Sequence, residues 1–259
     1  MLRIKLQSKS PVAVILAAGL GSRLRAVHAV RPKGFVEIDG RPIIARSVEA
    51  LKQAGVREFV FVVGWLGGVY RDWCAEVCPE AICVENADYA TTGSLKSLVL
   101  GCAAVAGRDV CVVESDLLYE QRAPLLLMQS DAADTVLISD FTQSGDEVWA
   151  YGGQAGDPAR LAHLGKQRLA GRGPDGELVG LSRFSASLVA ALAEAERGLP
   201  AGAHYEDGLN AVCAARPVTL LRASGLAWCE IDDAAHLERA RSKIWPRILG
   251  LDTAASFRS

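Results

Sequence analysis

The sequence predicts an α/β fold: a mostly parallel sheet covered by helices, with a small antiparallel subdomain in its second half. Three observations carry this. Short β-rich apolar runs alternate with longer helical patterns to about residue 141. Glycine- and proline-punctuated segments replace them between about 142 and 216, and a strand-then-helix pattern returns between 217 and 245. Half of the 259 residues are hydrophobic, enough for a sizeable core, and no repeat or flexible linker interrupts them. One domain over 1–259 is expected, with its core in 11–141 and 217–245.

The elements follow in order. Residues 12–17, Val-Ala-Val-Ile-Leu-Ala, read as a fully buried first strand. Residues 42–54 read as a helix, with Pro42 at its first turn and Gly55 past its end. Strands are expected at 58–63 and 81–84, a helix at 94–106 stopped by Gly107, and strands at 109–113 and 135–138. Gly145, Gly152, Gly153, Gly156 and Pro158 then break the chain into short pieces, and residues 171–176 supply a turn. A strand at 161–164, helices at 185–197 and 206–215, a strand at 228–231 and a helix from Asp233 complete the pattern.

Composition excludes several classes. A net charge of -2 offers no basic footprint for nucleic acid. No uninterrupted apolar run of about 18 residues is present to span a membrane. Leu2, Ile4 and Leu6 are too few for a signal-peptide core, so the cytoplasm is the expected compartment. Seven scattered cysteines do not resemble a disulfide framework. Cys74, Cys78 and Cys83 cluster, the first two within a helical pattern, and buried thiols are the expectation over a zinc site. The sequence sets no oligomeric state; a homodimer is compatible with it.

The clearest chemical signal is Leu16-Ala-Ala-Gly-Leu-Gly-Ser-Arg-Leu24, directly after the first strand. Small residues let the backbone turn tightly and approach a ligand, and exposed amides in such a loop cradle phosphate oxygens. Leu16, Ala17, Ala18, Gly19, Gly21 and Ser22 are therefore candidate nucleotide contacts, with Arg23 as a fixed positive charge. A third dinucleotide glycine and a Walker lysine are both absent. Arg31-Pro-Lys-Gly34 follows at a spacing that places Lys33 to neutralise triphosphate oxygens.

These two segments resemble the sugar-nucleotidyltransferase superfamily, whose signature is a Leu-Ala-Ala-Gly-x-Gly-x-Arg-Leu loop followed by Pro-Lys. The similarity runs from about Val12 to Ala240. It implies a Rossmann-like fold with an acceptor-binding lid at about 142–216, and gives Arg23 and Lys33 the grip on the phosphates. Residues 86–98, 113–120, 145–148, 176–180 and 205–207 look like the 2-aminoethylphosphonate cytidylyltransferase branch, and the Glu-Ile-Asp at 230–232 also resembles phosphocholine enzymes. The implied reaction is transfer of CMP from CTP to a small phosphonate or phosphate ester, with Mg²⁺ as cofactor.

The remaining candidates fit that frame. Glu114-Ser-Asp116 lies beyond a buried strand, where open α/β sheets place ligand groups, so Asp116 is a candidate magnesium ligand and Ser115 a substrate contact. Strand alternation puts Glu230 and Asp232 on one face to complete the metal site, while Asp232 or Asp233 could instead cap the following helix. Thr92, Gly93 and Ser94, at a helix start, are candidates for the cytosine and ribose, or helix caps. Lys166 is a candidate for the acceptor phosphonate. Tyr205, Glu206, Asp207 and the ring of Trp149 are candidates for an acceptor cation, with helix-start acids as the alternative for the two carboxylates. A phosphocholine or hexose-phosphate transferase, a hydroxyethylphosphonate acceptor and a non-catalytic nucleotide-binding protein remain open.

Overall fold

Alternation along the first strand builds two cores at once. A computed structural model describes residues 10–24, 31–153, 157 and 159–256; the 1–9 part of the leader reading, and the breaks at Gly156 and Pro158, lie outside them. In β1 (Val12–Ala17) all six residues are buried. Ala13, Ile15 and Ala17 face one hydrophobic cluster, while Val12, Val14 and Leu16 face another on the opposite side of the sheet.

A two-strand hairpin, β2 (Glu37–Ile38) and β3 (Arg41–Pro42), leads into α1 (Ile43–Gln53). Then come β4 (Phe59–Val63), α2 (Gly67–Val77), β5 (Ile82–Glu85), α3 (Ser94–Ala103) and β6 (Val110–Glu114). β7 (Leu117–Tyr119), α4 (Arg122–Gln129) and β8 (Thr135–Ser139) follow. The second half holds β9 (Trp149–Gly152), β10 (Leu161–Gly165), β11 (Gly176–Phe184), α5 (Ala186–Glu196), α6 (Tyr205–Val212), β12 (Thr219–Arg222) and β13 (Trp228–Glu230). The chain closes with α7 (Ala234–Arg239), a π-helical turn (Ala240–Ile244) and α8 (Trp245–Ser256).

The main sheet runs β10-β9-β11-β6-β1-β4-β5, and β8 joins β11 to β12. β6, β1, β4 and β5 are parallel, whereas β9, β10 and β11 enter antiparallel. The antiparallel strands expected after residue 144 thus extend the main sheet. α1, α2 and α4 cover one face through Leu51, Tyr70 and Leu127, and α3, α5 and α6 cover the other through Leu98, Leu192 and Leu209. A third cluster, including Leu24, Val36, Ile231 and Ile244, lies beneath the C-terminal helices.

One strand opens the sheet for the site. β11 pairs with β9 at residues 176–177 and with β6 at 181–184 on the same edge, because β8 takes its other edge. The register shifts between Leu178 and Ser182, around Gly180 at φ +85°. A Cβ on Gly180 would stand 3.1 Å from the Glu114 carboxyl carbon. The gap thus gives Glu114 room at the end of β6.

The cysteine cluster is placed on α2 and the sheet edge. Cys74 and Cys78 are buried, Cys83 is half-buried, and the Cys74 and Cys83 thiols are neighbours. Burial pushes the Cys78 thiol up to about 11.

Candidate active site

At the C-terminal ends of β1 and β6 the chain encloses a cavity of about 310 Å³. Leu16, Ala17, Ala18 and Gly19 form one wall as β1 runs out. A 3₁₀ turn, Ser22–Leu24, swings Arg23 into the lining and buries Leu24 behind it. Gly21 and Ser22 do not line the cavity; they shape this turn. Gly21 sits at φ +58°, and a Cβ there would come 3.2 Å from Cγ of Lys33, so the first loop closes onto the lysine of the second. Lys33 opens a further 3₁₀ turn, Lys33–Phe35. Gly34 lets the Tyr70 hydroxyl approach where a Cβ would stand 2.5 Å from it.

The acidic group is assembled by a two-strand ladder. β13 pairs antiparallel with β7, setting Glu230 opposite Leu117, and the Ile231 N–H donates to the Asp116 carbonyl at 3.0 Å. Carboxylate oxygens of Glu114, Asp116 and Glu230 come within 4.8 Å of one another. Burial, then Asp116 and Glu206, pushes Glu114 up to about 8; burial, then Asp116 and Glu114, pushes Glu230 up to about 10. The sequence placed Asp116, Glu230 and Asp232 in this group. Asp232 stands beside the trio, bound by Lys33 and by Arg23 at 3.0 Å, and Glu114 is the third carboxylate within the 4.8 Å group. Lys33 also donates to Asp116 at 2.9 Å. Burial alone would lower the Lys33 pKa, but Asp116 and Asp232 outweigh it and hold the ammonium charged.

Arg23 reaches a carboxylate that sequence reasoning missed. Its guanidinium donates to Asp146 at 2.8 Å, and the other Asp146 oxygen accepts from Lys166 at 2.5 Å. Gly145-Asp-Glu-Val148 carried the resemblance, yet one acid in a turn gives no sign of the two cations folding brings to it.

The segment around Thr92 forms the opposite wall. Thr92, Gly93 and Ser94 line the cavity, and no side chain caps α3. The Thr92 hydroxyl accepts from buried Asn86 at 3.0 Å and donates to the Asp88 carbonyl at 2.9 Å. Ser94 accepts from the Tyr205 N–H at 3.0 Å, tying α3 to α6. Asn86 is a second residue the sequence did not single out.

Of the acceptor candidates, Ser115, Lys166 and Glu206 line the cavity. Three others do not. Asp207 accepts from the His204 N–H at 2.8 Å and closes the capping box of α6, so the helix end takes it. Tyr205 is 1% exposed, with its ring in the core. Trp149 meets Phe141 edge-on with ring centres 5.2 Å apart, and the Arg168 guanidinium lies over its ring at 4.1 Å. Val148, beside it, takes the lining position.

A model of the MobA-like NTP transferase domain matches residues 13–206, the stretch that carries the loop, Lys33, Asp116 and Glu206. The chain belongs to this family of nucleotidyltransferases. It is 32% identical over 250 residues to CMP-5'-(3-aminopropyl)phosphonate synthase of Streptomyces rubellomurinus, covering 90% of this chain and 39% of that relative; the chain thus spans well under two thirds of that protein's length. It is 27% identical over 175 residues to 2-aminoethylphosphonate cytidylyltransferase of Lancefieldella rimae, 67% of each chain. The inositol-1-phosphate CTP transferase of T. maritima shares the fold at a TM-score of 0.78 and 23% identity, over 94% of this chain and 96% of that one. No described helix is long and apolar enough to cross a membrane.

Proposed function

We propose that this chain transfers CMP from CTP to a small aminoalkylphosphonate, 2-aminoethylphosphonate or a close analogue, and releases pyrophosphate. The observation that carries this is one cavity with two cationic grips, Arg23 and Lys33 at the glycine-rich loop and Lys166 on the neighbouring rim across Asp146, around an acidic floor. The names of two relatives, both acting on aminoalkylphosphonates, support the acceptor.

A phosphonate oxygen attacks the α-phosphorus in line; that P–O bond forms as the bond to the α–β bridging oxygen breaks, and the electron pair leaves with pyrophosphate. A phosphate's second pKa is about 6 and a phosphonate is broadly similar, so the attacking oxygen is anionic near neutrality and no general base is needed. The protein's work is to bring two anions together and stabilise the charge between them. Arg23 and Lys33 hold nucleotide phosphates, Thr92 and Gly93 face the nucleoside, and Lys166 holds the phosphonate.

Glu114, Asp116 and Glu230 suit a magnesium ion. Their oxygens are hard donors gathered within 4.8 Å, and burial, then the neighbouring carboxylates, pushes Glu114 and Glu230 upward. When bound there, Mg²⁺ would neutralise phosphate charge. Asp232 would keep Lys33 and Arg23 in place beside it.

The acceptor's cation falls to buried Glu206. Tyr70 and Tyr89 are the aromatic side chains lining the cavity among the described residues, and both stand at the loop end: Tyr70 against Gly34, Tyr89 against Gly64. With Trp149 outside the lining and Tyr205 buried, its hydroxyl beside Glu114, a primary ammonium that donates hydrogen bonds suits this end better than a quaternary one needing aromatic faces. A pyrophosphate-release panel of four triphosphates against aminoethylphosphonate, hydroxyethylphosphonate, phosphocholine and hexose-1-phosphates tests the reading. CTP with aminoethylphosphonate should lead, and Lys33→Ala and Asp116→Ala should each lower turnover about 100-fold or more. Preference for UTP with a hexose phosphate, or near-wild-type release by either variant, overturns it.

A further inference from the structure

We infer that Asp146 is a positioning residue that fixes the spacing between Arg23 and Lys166, and so between the nucleotide's phosphates and the attacking phosphonate. The inference rests on the assignment of those two cations to the two substrates. One Asp146 oxygen accepts from Arg23 at 2.8 Å and the other from Lys166 at 2.5 Å. Two cations on neighbouring rims would otherwise repel, and both are long, half-exposed side chains with many rotamers. A carboxylate with one oxygen committed to each sets their separation by its own width plus two hydrogen bonds.

The loop that carries Asp146 is anchored from behind. Glu177 on β11 accepts from the Thr142 N–H at 2.6 Å and from its hydroxyl at 2.8 Å. Arg239 on α7 donates to the Thr142 carbonyl at 2.6 Å. Gln143 at φ +56° and Gly145 at φ +92° turn the chain so that Asp146 lines the cavity. Strand and helix thus hold the carboxylate where the two cations meet it.

Pairs this exposed contribute little to stability, so the bridge should matter for geometry. Reaction in line depends steeply on placement: about 1 Å of error costs on the order of 100-fold. Arg23 keeps its contact with Asp232 at 3.0 Å whatever happens to Asp146. Loss of the bridge therefore frees Lys166 more than Arg23, and the acceptor side should suffer.

The test compares wild type, Asp146→Asn, Lys166→Met and the double variant, using whichever triphosphate and acceptor the wild type turns over best. A wrong acceptor identity then fails the panel above and leaves this cycle readable. Asp146→Asn should lower kcat/KM for the acceptor by about 10- to 100-fold, with the triphosphate Kd by calorimetry moving less than about threefold. On a Lys166→Met background the same change should cost less than about threefold, because its target is gone. An equal loss in both backgrounds, a loss confined to triphosphate binding, or unchanged kcat/KM each overturns the inference.

Discussion

Gly93 shows how much of the site depends on a missing side chain. Its backbone is ordinary, at φ -88°, so torsional strain is not the reason for glycine. Space is: a Cβ would stand 2.1 Å from the Ala203 carbonyl oxygen and 2.5 Å from that of Gly202, both rigid backbone atoms. The contact holds residues 201–203 against the start of α3, and the Gly93 N–H donates to Ala201 at 2.9 Å. Gly93→Ala must push this segment away, carrying with it His204 and Glu206 on the cavity wall. We expect a loss of about 1–3 kcal/mol, as for other overpacked contacts, together with at least a tenfold fall in pyrophosphate release. Gly202→Ala is the control, since a Cβ there meets nothing within 4 Å; thermal melts should separate the two by several degrees. Equal melting temperatures would remove the packing argument.

At the scale of elements, α7 and the β7–β13 ladder decide where the acids stand. Asp233 caps α7 by accepting from the His236 N–H at 2.8 Å, leaving Asp232 to face Lys33 and Arg23. Asp233→Ala should cost about 1 kcal/mol and lower Tm by about 2–4 °C in a chain of this size, whereas Asp233→Asn, also a good cap, should stay near wild type. An equal drop in both variants would point to charge and not capping. Much of this architecture was legible. The buried strands expected at 12–17 and 135–138, the helix after Pro42 and the loop through Arg23 follow from local patterns and lie where those patterns put them, the second strand running one residue further to Ser139. The rest was not local. β7 is three residues long and exists only because β13 pairs with it; that pairing gathers Glu114, Asp116 and Glu230. Alternation around Glu230 could not show that Asp232 is taken by Lys33 and Arg23. Asp207 reads as an acceptor contact, or as a helix-start acid, until the His204 N–H is seen on it.

The whole molecule brings its site together from nearly the full chain: Leu16 and Arg23 near the start, Asp146 and Lys166 in the middle, Glu230 and Asp232 near the end. Each rim is anchored to the sheet, so the protonation of a group outside the cavity can register in global stability. Glu177 is such a group. It is 3% exposed on β11, and burial pushes its carboxyl up to about 7 against the opposing hydrogen bonds from Thr142. In the unfolded chain the same carboxyl titrates near 4.3. The folded state therefore holds this proton more tightly, and the stability it contributes is fully present below about pH 4.3 and lost as pH rises through about 7. Glu177→Gln removes the titration while keeping an acceptor for Thr142. Glu114 and Glu230 tilt both proteins alike, so the difference between variant and wild type isolates Glu177. We expect Tm of the variant minus Tm of the wild type to be more positive at about pH 8.5 than at about pH 5, measured in one buffer series at constant ionic strength. A difference that stays constant across that range would mean the Thr142 hydrogen bonds keep the carboxylate charged in the folded protein at both ends.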